Sequence, residues 1–114
     1  MRDATQYFPK MDFQFSKIKA RNAMLAPHKF GGPKGIGAIL AKESTDLDYL
    51  KWLGSQEEGI RPGTENVVGI VGFAEAVKCA RDDKSAGTWE NVLNLRNLME
   101  NEIKLRSPAS TIVG

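Results

Sequence analysis

Residues 26–37, Ala-Pro-His-Lys-Phe-Gly-Gly-Pro-Lys-Gly-Ile-Gly, constrain this chain more than any other stretch. Four glycines and Pro33 fall within the eight residues after Lys29, a density that opposes both helix and continuous strand. Glycine permits positive φ and close backbone approach, and proline fixes φ, so the stretch reads as a tight loop rich in exposed backbone. The chain's one histidine, His28, stands in it directly before Lys29. A lysine becomes a nucleophile when desolvation or a neighbouring cation leaves its amine partly deprotonated near neutral pH. The residues themselves leave this role and that of an ordinary solvated lysine both open.

Two nucleotide-binding readings of the loop fail. A P-loop needs Gly-Lys followed by Ser or Thr, which occurs nowhere in the chain. The dinucleotide pattern fails because Leu40 stands where the third glycine belongs after Gly35-Ile36-Gly37.

The rest of the pattern is that of an α/β chain. Residues 3–9 read as a loop leaving a strand, with Pro9 opposing helix. Residues 11–15 alternate apolar and polar side chains as a half-exposed extended segment does, and the basic residues 16–21 suit a helical turn. Ala23-Met24-Leu25 is a brief buried strand that delivers His28 and Lys29 at its carboxyl end, where open α/β sheets place ligands. Residues 36–41 form a second buried strand. Leu47, Leu50 and Leu53 suit a short amphipathic turn or a partner-facing loop. Residues 54–64 are a second glycine-punctuated loop, and Thr64 is placed to cap the helix that follows to about Asp82. Gly69 and Gly72 within that helix signal close packing against a neighbour. Cys79, also within it, reads as a buried or half-buried structural thiol. After a polar break over residues 83–87, Thr88 caps a second helix striped by Val92, Leu95, Met99 and Ile103, and residues 111–113 start a strand.

Composition narrows the function. With 114 residues, 41% apolar and 26% charged, this is at most one ordinary domain. A net charge of +2, spread along the chain, gives no argument for nucleic acid. No apolar run approaches the roughly 18 residues needed to span a bilayer. One cysteine cannot form an internal disulfide and agrees with a reducing compartment.

Three motifs occur in order: Asp3-Ala4-Thr5-Gln6, the lysine loop ending Gly32-Pro33-Lys34-Gly35-Ile36-Gly37, and Gln56-Glu57-Glu58-Gly59-Ile60-Arg61-Pro62-Gly63-Thr64-Glu65-Asn66-Val67. Together they resemble the cysteine desulfurases of the class V aminotransferase group, over roughly residues 2–83. The resemblance implies part of the large α/β domain of a fold type I pyridoxal phosphate enzyme. Residues 1–83 would be the C-terminal part of that domain, and residues 84–114 the start of the small one, including its first helix. Family members are several times longer, so an internal fragment is expected, without the loop that bears the attacking cysteine.

What the resemblance implies for chemistry is specific. Lys29 would condense with the aldehyde of pyridoxal 5'-phosphate and later shuttle protons, Asp3 would face the protonated pyridine nitrogen, and Gln6 would bond its phenolic oxygen. His28 would help to hold the phosphate, and Thr64 would reach across a dimer interface to the phosphate of the other subunit. A carboxylate against a pyridinium is a charge-assisted bond that preserves the ring's capacity to accept electrons. The implied reaction takes sulfur from L-cysteine, leaving L-alanine and an enzyme persulfide for iron-sulfur cluster assembly or another sulfur-transfer route. Selenocysteine lyase, another class V enzyme, and an inactive remnant or binding module are the alternatives. Implied partners are a second subunit and a sulfur-acceptor or scaffold protein, with no nucleic acid, membrane or metal. The implied location is the cytoplasm, or the mitochondrion or plastid in a eukaryote. One departure stands out: the family's phosphate-binding serine is Ala26 here. A lost hydroxyl donor to phosphate costs about 1.5–3 kcal/mol unless backbone amides compensate.

Overall fold

The computed structural model describes residues 1–42 and 54–113. The amphipathic turn expected around Leu47, Leu50 and Leu53 lies outside the described residues. Two compact units are present, Met1–Ala80 and Arg81–Gly114.

The first unit is built on a three-stranded sheet in the order β1-β2-β3, with β1 at Arg2–Asp3, β2 at Asn22–Leu25 and β3 at Ala38–Ala41. β1 runs parallel to β2, with Asp3 opposite Met24, and β3 runs antiparallel to β2, with Leu25 opposite Ala38. The backbone bond from Ala4 N–H to the Met24 carbonyl, 3.0 Å long, carries the parallel pairing one residue beyond β1.

Strand periodicity sorts the side chains of β2. Ala23 and Leu25 are buried and join Ala4 in the core, with Phe8, Phe13, Phe15, Leu40 and Phe73 packed against them. Met24 and its partner Ile39 point to the other face and stay partly exposed. The expected strand over 36–41 is therefore shorter, Ala38–Ala41, and half-buried with alternating exposure. Gly35 at φ +79° and the residues beside it serve the preceding turn instead.

Residues 11–15 alternate as expected, with Phe13 and Phe15 turned toward the core, though they pair with no described strand. Of the basic segment, a 3-10 turn covers only Phe15–Lys17. Edge-to-face contacts of Phe8 with Phe13 and with Phe30, and a tilted contact of Phe30 with Phe73, link this aromatic segment to the first long helix.

That helix, α1, spans Val67–Ser85 and so runs through most of the expected polar break. Both of its early glycines sit where a side chain would crowd a neighbour. A Cβ on Gly72 would come within 3.0 Å of the Pro33 ring, and one on Gly69 would meet the Asn66 side chain at 2.5 Å. Gly32 is likewise excluded from bearing a side chain by Pro27 and Ala76. The loop and the helix thus meet through the Pro33 ring against Gly72 and the Ala76 methyl against Gly32.

Three local expectations are corrected. Thr64 does not cap α1, because the chain stays non-helical for two more residues and Asn66 Oδ1 accepts the Gly69 N–H at 3.0 Å instead. Cys79 is exposed on α1, because the helix turns Ala76 and Ala80 inward and its Sγ outward, 3.9 Å from Glu75 Oε1. Thr88 opens the second helix, α2 at Thr88–Arg106, without a side-chain cap, since the preceding residue is Gly87 in the left-handed region at φ 75°. Residues 111–113 form no strand with the described residues.

In the second unit, α2 buries no residue. Val92, Leu95, Leu98 and Met99 are all more than two-fifths exposed. Exposed pairs Arg96–Glu100 and Arg106–Glu102 lie along the helix at i,i+4 spacing. Among the described residues no helix is long and apolar enough to cross a membrane.

The corrected cap gives a direct test. Asn66→Ala should lower stability by about 0.5–2 kcal/mol in urea titrations, as loss of an N-cap does, while Thr64→Ala leaves the midpoint unchanged.

Candidate functional site

Parallel pairing of β1 with β2 brings two loops to one edge of the sheet. Asp3 ends β1 and Gln6 follows it, while β2 ends at Leu25, four residues before Lys29. Pro27, His28 and Lys29 form a 3-10 turn, with Pro27 at its first position and fully buried. Proline there is pre-set for the turn. Its carbonyl accepts the N–H groups of Phe30 and Gly32, both at 2.9 Å, and anchors the turn that presents the next two side chains. His28 and Lys29 are exposed and bond no side chain among the described residues.

Asp3 is engaged locally. One carboxylate oxygen accepts the Thr5 N–H at 2.9 Å. The Thr5 hydroxyl, and then that N–H, hold the carboxyl below the ordinary aspartate value, so it stays ionised to lower pH than a free aspartate does. Gln6 Oε1 accepts a bond from Lys10 Nζ at 3.1 Å. Thr64 is exposed, three residues before the start of α1 at Val67. Asp3, Gln6, His28 and Lys29 thus occupy neighbouring loops, and no hydrogen bond joins one of them to another among the described residues.

Beside them lies an open cleft of about 1100 Å³. Thr5, Ala26, Gly35 and Gly37 line it from the sheet and its loops, and Arg61 and Asn66 line it from the approach to α1. Met24, Ile39, Ile70 and Phe73 give it apolar walls. None of the five residues singled out by sequence lines the cleft directly, but Thr5 adjoins Gln6 in the chain and Ala26 lies two residues before His28. Arg61 and Asn66 escaped assignment as site residues. Arg61 carried a signal, a cation inside a Gly- and Pro-rich motif, whereas Asn66 could be found only by locating the helix start.

No group of His, Cys, Asp and Glu suited to a metal ion occurs among the described residues. The donor set suits an aldehyde cofactor with a phosphate. It comprises a primary amine, a carboxylate kept ionised, an amide and an imidazole at one strand edge, with a glycine, Gly35, whose Cβ position has no atom within 4 Å.

Comparison with known proteins bears on the family. Residues 1–113 match the family model described as aminotransferase class-V. The chain is 33% identical over 112 residues to the cysteine desulfurase IscS of Clostridium botulinum (strain Hall), covering 98% of this chain and 28% of that protein. It is 34% identical over 112 residues to a cysteine desulfurase of Cereibacter sphaeroides, with the same coverage of each chain. A solved structure of a NifS-like protein superposes with a TM-score of 0.65 at 35% identity, covering 84% of this chain and 28% of that one. The chain therefore spans little more than a quarter of the length of these relatives.

Removing the Thr5 hydroxyl should move the Asp3 titration. In Thr5→Val the carboxyl pKa rises toward the ordinary aspartate value, read from the pH dependence of its carbon chemical shift. Because the folded value is depressed, the stabilisation from this turn is present above the unfolded pKa and is lost as pH falls through the folded one. The variant should lose less stability on acidification through that window.

Proposed function

The chain belongs to the aminotransferase class-V family, and from that premise we propose that it is a segment of a pyridoxal phosphate-dependent cysteine desulfurase. The observation that carries the reading is the placement of the Asp3–Gln6 loop and the His28-Lys29 turn at the same edge of two parallel strands. The carbon-sulfur chemistry would be supplied by the cofactor, whose ring accepts electrons when its nitrogen is protonated.

The chain's own residues have distinct tasks in this reading. Lys29 supplies the primary amine that holds the aldehyde carbon and exchanges protons at its Nζ. Asp3, its carboxyl held below the ordinary aspartate value by Thr5, offers its carboxylate to a pyridinium nitrogen. Gln6 gives up its bond to Lys10 and turns its amide to a phenolic oxygen. His28 and Thr64 contribute donors to a phosphate, Thr64 toward a second subunit. Met24, Ile39 and Phe73, which give the neighbouring cleft its apolar walls, would limit water beside a bound ring.

Residues 1–83 belong in this reading to the large domain and residues 84–114 begin the small one. The substrate is L-cysteine, its sulfur passes to a thiolate on a part of the enzyme outside this segment, and an acceptor or scaffold protein takes it onward. A cytoplasmic setting follows from the same reading.

Incubation of the purified chain with pyridoxal 5'-phosphate tests the assignment. An imine absorbance band should appear, and borohydride should fix one cofactor mass on the peptide containing Lys29. Lys29→Ala should abolish the band, while Lys34→Ala leaves it intact. A band that survives Lys29→Ala, or none in the unaltered chain, would reject the reading.

A further inference from the structure

The loop before α1 holds a cation that nothing above employs. Arg61 lines the cleft, and its guanidinium makes no hydrogen bond or ion pair among the described residues. Glu57 lines the same cleft and does not pair with it. On the opposite wall Ala26 offers no side-chain donor. Asn66 has its Oδ1 committed to the Gly69 N–H, and Thr5 is turned to Asp3. Arg61 is thus the one full positive charge among the described lining residues, and a guanidinium fork matches the oxygens of a phosphate in a bidentate manner.

The backbone around Arg61 is held in a costly shape. Glu57 and Glu58 have φ of 47° and 58°, Gly59 78° and Gly63 101°. For the two glutamates this left-handed region is unfavourable, so neighbouring contacts must enforce it. Gln56 supplies those contacts. Its carbonyl oxygen on the main chain accepts the Gly59 N–H at 3.0 Å, and its side-chain Oε1 accepts the Gly63 N–H at 3.2 Å, closing a ring that contains Arg61. At the foot of the ring a Cβ on Gly54 would come within 2.7 Å of Pro62 and 2.9 Å of Gln56 Oε1, so the two ends are packed together without spare room.

We propose that Arg61 is an oxyanion-binding residue of the cleft that takes the phosphate of a phosphorylated aldehyde, and that Gln56 is the positioning residue that aims it. The identity of the aldehyde as pyridoxal 5'-phosphate rests on the proposed function. Arg61 thereby provides from the α1 side a donor that Ala26 does not provide from the sheet side. Glu57 works against it by like-charge repulsion of the phosphate.

Titration of the chain with pyridoxal 5'-phosphate and, separately, with pyridoxal, both read by the imine band, separates the phosphate contribution from that of Lys29. Arg61→Gln should raise the half-saturation concentration for the phosphorylated aldehyde about tenfold, the loss expected for one charge-assisted contact, and leave that for pyridoxal unchanged. Gln56→Met should speed amide hydrogen exchange at Gly63 and weaken the phosphorylated aldehyde alone, whereas Gln56→Glu, which keeps an acceptor oxygen, should restore both. Equal weakening of both aldehydes in Arg61→Gln would overturn the oxyanion role. Faster Gly63 exchange without weaker binding in Gln56→Met would overturn the positioning role. No band from the unaltered chain with either aldehyde would remove the proposed function and this inference with it, while a phosphate-independent band removes the inference alone.

Discussion

The parallel ladder between β1 and β2 is the interaction on which the rest depends. It is short, with Arg2 opposite Ala23, Asp3 opposite Met24 and one further bond from Ala4. Those few bonds set Asp3 and the end of β2 at the same height, and so bring the Asp3–Gln6 loop and the His28-Lys29 turn to one end of the sheet. They also set the core, since the residues that bury are Ala4, Ala23 and Leu25 from the same two strands. A slip of one residue would turn Ala23 and Leu25 outward and shift the aspartate relative to the lysine turn together. Core register and site register are a single variable here, so a packing defect in β2 is also a site defect.

The glycine loop and the second loop solve different problems. In the first, small residues make room: Gly32 lets the turn lie against Pro27 and Ala76, and Gly72 lets α1 lie on Pro33. In the second, the backbone itself is bent into rarely used conformations and held there by one glutamine. Both keep polar backbone and side-chain donors at the rim of an apolar cleft, the usual construction of a small-molecule site.

Much of this was legible in the sequence, for identifiable reasons. Ala23-Met24-Leu25 was readable as a brief apolar run before the lysine loop, and α1 because its apolar side chains recur near helical spacing. The motifs at Asp3, Lys29 and Thr64 carried the family. What could not be read depended on partners or on single backbone angles. Cys79 was misplaced because four residues of phase decide whether a helical side chain faces a neighbour or water. Thr64 and Thr88 both looked like caps, yet Asn66 and Gly87 occupy the deciding positions, because capping preference fixes the type of residue and not where the chain first turns helical. The latch from Gln56 to Gly63 joins two residues of one loop by a side-chain bond that no periodicity announces.

The absence of any buried residue along α2 has a consequence for what stability means in this chain. A nineteen-residue helix in which no residue is fully buried and Trp89 is only half-buried adds much surface and little cohesion, so its persistence in water draws on local propensity, a few ion pairs and its own length. Thermodynamically it is a debtor to its surroundings: its order deepens with whatever shields those leucines, and a dilute solution of the chain reports the sheet's endurance far more than the helix's.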